Sequence, residues 1–471
     1  MKSKQKVSIF EIVLYTLTGL FLFILLISHI YNDILATTRH GINFWTILGQ
    51  GNLLDFYELN QCPPGNFYYT TVQRCSYNIL VYLVFAIWNF PLFLLERFAG
   101  VDVMNNLFCL IYAKMLVVGA AGFTVVIMKQ ILKSLQIPEN KHRLLLYIYG
   151  TSSLLISIIF ITAQYDILSL IFQLLGVHAF LEKKDRQFVI WFGIAFCFKF
   201  FALILFLPLL LLRHKKILPW IKNGICVILP WILTKLPFTL HTTLVSGTAG
   251  TSIKGELMAV DMLSTMLFSS NVGSYINVLV ISYLFLLVWC YLRKQDTEKT
   301  PLDAVWSCFL AYALFFGLSN PFPYWPILMA PFFMLVIAIA PGHLYFNLML
   351  EAIGLAAYVF GSMIRVDWCY FGSTLKPMVW PVILEGTRFD GNFYSSLIYK
   401  ILLLLNQTDI LAVLSAIFLA AVCALAYISY PRNGLAAMHR WNSEPDCRDV
   451  LAIRFGLNAA LCLLPILAQF I

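Results

Sequence analysis

The chain of 471 residues is 61% hydrophobic and 12% charged, with mean hydropathy +0.82 and formal net charge +9. Ordinary soluble domains carry about 25% charged residues, and apolar runs recur here from end to end without a polar block long enough to fold alone. Composition therefore excludes a set of water-soluble domains and leaves one integral membrane domain over 1–471, of the all-α polytopic class.

The N-terminal "MKSKQK" precedes "VSIFEIVLYTLTGLFLFILLISHIY". Basic followed by apolar is also the pattern of a signal peptide, but the apolar part exceeds an h-region and no small-residue cleavage site follows. It reads as a retained first helix with its N-terminus inside. A window of roughly 20 residues places spans near 9–31, 77–97, 105–131, 144–163, 166–181, 219–235, 274–292, 303–319, 323–340, 344–364, 408–430 and 452–470. Between 187 and 213, "FVIWFGIAFCFKFFALILFLPLLLL" has basic groups at both ends. Two short helices that dip in and return, with Lys199 near the turn, keep both ends on one side. Lysine at lipid depth faces a cavity or a partner; one long helix with a snorkelling lysine is the alternative. The whole makes about 12–14 membrane helices.

Basic residues collect in "EKKDRQ" (182–187), "LRHKKILPWIKNG" (212–224), "YLRKQDTEK" (291–299) and "YPRNGLAAMHRWNSEPDCR" (430–448), which places these loops inside. The opposite face then receives 32–76, 236–272, 318–326 and 365–400. The basic stretch 129–143 conflicts with simple alternation: either one of the spans within 77–131 does not cross fully, or this loop breaks the charge rule.

The first external loop holds Asp33, Asp55 and Glu58 among aromatics, with amphipathic pieces such as "GINFWTILGQ". Helices of this type lie along a membrane surface and can roof a lipid-facing cleft; a plain solvated loop is the alternative. A second acid, Asp166, opens a span in "FITAQYDILSLIFQLLGVHAF", on the same face as Asp33. An acid there stabilises a helix through its dipole, but the adjoining Gln164 and Tyr165 form a polar cluster that capping does not require.

An acid at the end of the first helix, a long first external loop with amphipathic helices, the "QYD" helix start, the broken "KF…LP" pair and the "NPFPYWPILMAPF" turn together resemble the GT-C glycosyltransferases. The nearest likeness is to bacterial relatives of the dolichol-phosphate-mannose-dependent mannosyltransferases. The likeness runs over the first 340 residues, with 341–471 as additional C-terminal helices. It implies transfer of a sugar, mannose or another hexose, from a polyprenyl-phosphate carrier to a glycan, lipid or protein acceptor. The site would face outward from a bacterial cytoplasmic membrane. It implies Asp33 as catalytic base, with Asp55 in reserve. Some relatives carry paired acids here; Asn32 precedes Asp33 in this chain, so no metal and no cofactor is expected.

Displacing a lipid phosphate needs a base on the incoming hydroxyl and cations or hydrogen-bond donors on the departing phosphate. Arg365 and Arg388 are the first candidates for the phosphate, because arginine forks its oxygens; pairing with Asp367 and Asp390 is their structural alternative. Arg39, His40, Gln164, Tyr165, Asp166, Lys199, Tyr324 and Trp325 are candidates for the donor and acceptor cavity. The eleven cysteines show no metal-ligand spacing; Cys62 and Cys75 flank a loop that a disulfide would close. No phosphate-cradling glycine pattern appears, and the positive charge is accounted for by loops beside anionic lipid, without nucleic acid. Two other functions stand beside the transferase: a lipid-linked sugar transporter, flippase or polysaccharide polymerase, and a non-catalytic scaffold. Transporters show paired broken helices in two halves, and only one such pair is evident.

Overall fold

The computed structural model describes residues 8–62, 73–246, 267–269, 275–372, 396–432, 434–435, 441 and 447–468. They form an all-α polytopic membrane protein. The helices are α1 (Ile9–Ser28), α2 (Asn32–Gly49), α3 (Ile79–Trp88), α4 (Phe90–Ala99), α5 (Leu107–Ser134), α6 (Glu139–Gly150), α7 (Asp166–Leu181), α8 (Asp185–Phe198) and α9 (Ala202–Arg213). They continue as α10 (Ile217–Ser246), α11 (Val278–Leu292), α12 (Thr300–Leu318), α13 (Ala330–Ile339), α14 (Leu344–Arg365), α15 (Leu397–Asn406), α16 (Ile410–Ile428) and α17 (Arg448–Leu467). Among the described residues, seven helices are long and apolar enough to cross a membrane, or nine if each of two bent pairs counts as one span. Shorter apolar helices, α7, α9, α11, the Trp325–Ile339 segment and α15, fill out the bundle.

The basic loops meet at one end. Arg143 pairs with Glu11 at 2.7 Å, and Ser134 donates to Glu182 at 2.6 Å. Arg213 pairs with Asp185 at 3.1 Å, Gln295 donates to the Arg213 carbonyl, and the Leu435 amide bonds to the Glu298 carbonyl at 3.1 Å. The stretch 129–143 therefore shares an end with the N-terminus and with 182–187, as its charge requires.

The topological conflict has a mechanical resolution. Near the opposite end, Lys114 in α5 reaches the last carbonyls of α1, so α1 and α5 run antiparallel and the chain between them makes no net crossing. The apolar stretch 77–97 is not one straight span. It bends by 60° at Asn89, with Pro91 opening α4, as proline is tolerated in a first helical turn but not in a helix interior.

The loop 32–76 contains α2, a helical turn over Leu53–Leu59, and the strand pair Gln61–Cys62 with Gln73–Arg74. Gly41 lets α2 lie directly on α3, since a Cβ there would stand 2.8 Å from the Phe85 carbonyl carbon. Cys62 and Cys75 are separate buried thiols.

Candidate functional site

The chain breaks after Ser28, passes through extended His29 and Tyr31, and restarts at Asn32. Asp33 therefore sits in the first turn of α2 and not at the end of α1. Neither glycine nor proline makes the break. Lys114, wholly buried, donates to the carbonyls of Leu26 (3.2 Å), His29 (2.9 Å) and Phe160. One ammonium thus supplies donors to α1's terminal carbonyls, which no further helical turn can satisfy, and ties them to the neighbouring segment.

That neighbouring segment is irregular in its own way. A helical turn at Ser153–Ile156 continues as a π-helical turn, Ser157–Ile161, and then Ala163 takes φ +46°. Left-handed backbone costs a non-glycine residue about 1–2 kcal/mol, and π turns are rare and often mark functional sites. The distortion presents Gln164, Tyr165 and Asp166 at the top of α7.

Gln164 Nε2 donates to Asp33 Oδ2 at 2.8 Å. The Asp33 residue is half-buried, but its carboxyl is enclosed: burial raises its pKa above the usual carboxylate range, and the nearby Asp166 charge adds to this. Hydrogen bonds from Gln164 and Tyr324 and the charge of Lys199 act the other way. The outcome is an acid held less acidic than in water, the direction useful to a general base.

Lys199 occupies the expected break between α8 and α9. The pairing of Arg213 with Asp185 shows that these helices enter and return to the same end. Lys199 Nζ stands 2.9 Å from Asp166 Oδ1, with both side chains buried. It also lies 4.9 Å from the Trp325 ring centroid, 5.5 Å from Tyr77, 5.7 Å from Phe201 and 6.0 Å from Tyr165, an aromatic enclosure that favours a cation. The Asp166 oxygens receive no well-directed hydrogen bond among the described residues. The carboxylate is thus charge-paired yet retains acceptor capacity.

A cavity of about 180 Å³ adjoins this cluster, lined by Tyr77, Asn78, Lys199, Trp231, Tyr324 and Trp325 among others. Asp33 and Asp166 do not line it, but Lys199, which pairs with Asp166, does. The Pro-rich turn preceding Tyr324 carries Phe322, whose ring stacks on Tyr324 at 5.7 Å and meets Trp325 at 5.3 Å.

Of the residues singled out in sequence, Asp33, Gln164, Tyr165, Asp166, Lys199, Tyr324 and Trp325 meet in this cluster. Others are engaged elsewhere. Arg39 Nη1 donates to both carboxylate oxygens of Glu96, at 2.7 and 3.0 Å, and buried His40 bonds to Asn60 at 2.9 Å. Asp55 pairs with His241 of α10 at 2.7 Å. Arg365 holds Asn320 and the Pro321 carbonyl (2.9 Å), fixing the turn that presents Tyr324, and is not paired with Asp367. It lines a separate cavity of about 320 Å³ with Asn320 and Tyr358. Arg388 lies outside the described residues.

Sequence reading missed Tyr77 and Lys114. Lys114 had a signal: a lysine inside the apolar "LFCLIYAKMLVVG" is as costly as Lys199. Tyr77 had none, since an aromatic at a loop end is commonplace. Comparisons with family models, curated proteins and solved structures find no match to this chain.

Proposed function

We propose that this protein is a membrane-embedded glycosyltransferase. It takes a sugar from a polyprenyl-phosphate carrier and gives it to an acceptor hydroxyl on the membrane face opposite the basic loops. The observation that carries this reading is the Asp33–Gln164 contact beside the Asp166–Lys199 pair, at the non-basic end of a bundle with an adjoining aromatic cavity. Among the groups of this cluster, Asp33 is the base. It accepts the acceptor's proton as that oxygen bonds to the anomeric carbon, while the bond from that carbon to the carrier phosphate breaks and the phosphate leaves with the electron pair. Tyr77, Tyr324 and Trp325 offer faces suited to a sugar ring. Lys199 is the cation next to the cavity, and Arg365, on the same turn as Tyr324, is the second candidate for the leaving phosphate. The reading assigns no step to a metal.

The test presents the purified protein with radiolabelled polyprenyl-phosphate hexoses and a panel of acceptors. Appearance of free polyprenyl phosphate with labelled product supports transfer. Movement of intact carrier between vesicle leaflets, without its consumption, would instead favour the transporter.

A further inference from the structure

A second site lies at the basic end, remote from the Asp33 cluster and independent of the transferase reading. Helices α8 and α10 pack against each other at Gly193: a Cβ there would contact the Val227 and Cys226 carbonyls and the Pro230 ring at 3.5–3.6 Å. From that crossing the two helices lead toward the basic loops, where α8 begins at Asp185 and α10 at Ile217. The groove between them encloses about 670 Å³.

Its walls and its mouth differ in chemistry. Val189, Ile190, Ile194, Leu218 and Pro219 supply apolar walls, and Ile190 and Leu218 are 57% and 73% exposed. In a chain of this class such surface faces hydrocarbon. At the mouth stand Arg186 and Lys222, both exposed and in no ion pair among the described residues. The one acid there, Asp185, is already paired with Arg213, so it does not neutralise the two cations. An apolar groove running to the Gly193 crossing, with two cations in no ion pair at its mouth, complements one acyl chain beneath one anionic phosphate.

We propose that this groove binds a single anionic glycerophospholipid of the leaflet at the basic end, its acyl chain between α8 and α10 and its phosphate against Arg186 and Lys222. The juxtamembrane position of the cations is that of lipid-attracting basic groups. Because α8 ends at Lys199, a lipid wedged here bears on the helix that places the Asp166 partner.

Native mass spectrometry of the delipidated full-length protein, titrated with phosphatidylglycerol or phosphatidylcholine of identical acyl chains, tests this. Phosphatidylglycerol should bind at one saturable site with higher affinity than phosphatidylcholine. The Arg186→Gln/Lys222→Gln double variant should lose that preference by about tenfold, with its thermal midpoint unchanged because both side chains are exposed. A bulky Cys226→Trp should obstruct the slot and weaken both lipids. Equal binding of the two lipids by the wild type, or an undiminished preference in the double variant, overturns the proposal, as does a groove-filling variant that binds both normally.

Discussion

Gln164 and Asp33, 131 positions apart in sequence, are joined by a 2.8 Å hydrogen bond from amide to carboxylate. That bond stabilises the ionised carboxyl against the burial that raises its pKa. Gln164→Ala should therefore raise the Asp33 pKa further. The acidic limb of the rate profile, where the base becomes protonated, should move to higher pH while the plateau falls less. A pH–rate profile measures it, and an unmoved limb would detach Gln164 from the base.

Stability should respond to Asp33 in the opposite sense from activity. A carboxyl whose folded pKa lies above its unfolded value binds protons more readily when folded. Its contribution is fully present below the unfolded pKa and is lost as pH rises through the folded one. Asp33→Asn removes that loss, so the variant should melt at or above the wild-type temperature near neutral pH. Thermal unfolding in detergent across pH provides the comparison; functional residues often relax the fold when replaced.

Lys199 and Asp166 should behave as a coupled pair. Removing one partner of a buried ion pair costs about 3–5 kcal/mol because the other charge is stranded, whereas removing both is far milder. Lys199→Met should destabilise severely, and Lys199→Met/Asp166→Asn should recover much of the loss without recovering activity. A double-mutant cycle read by thermal unfolding checks this; additive losses would mean that the 2.9 Å contact carries little energy.

Lys114 should act on the site from beneath. Lys114→Met strands the carbonyls of Leu26, His29 and Phe160 in the interior, where a single unsatisfied group costs about 1–3 kcal/mol. Stability should fall by about 3 kcal/mol or more, and hydrogen exchange should rise first at the α1–α2 break and at the π turn. Uniform loosening over the whole bundle would contradict that placement.

What was legible in the sequence had a local energetic signature. Lys199 could be placed at a break because a lysine in 25 apolar residues is too costly to leave unpartnered, and Asp166 because an acid opening an apolar helix stands out. The basic loops sort by charge alone. The end of the first span was legible to within about three residues from hydropathy, but its cause was not: His29 to Tyr31 carries no helix breaker, and the carbonyls at the break are held by Lys114, more than eighty residues away in α5. The failed crossing at 77–97 was obscured because α3 and α4 are apolar enough for a span, and the 60° bend is a tertiary property. Arg39 and His40 looked available to the donor and acceptor cavity, but Glu96 and Asn60 are brought to them only by packing.

The central claim is that Asp33 is the base of a sugar transfer. It is tested most directly by the rate at which purified wild-type and Asp33→Asn proteins, matched for folded protein by thermal melt, move labelled sugar from a polyprenyl-phosphate donor to an acceptor. The near-isosteric change keeps the shape and removes the proton acceptor, so transfer should fall by about 10² or more, the usual scale for a general base. Wild-type turnover in the Asp33→Asn protein would contradict the account.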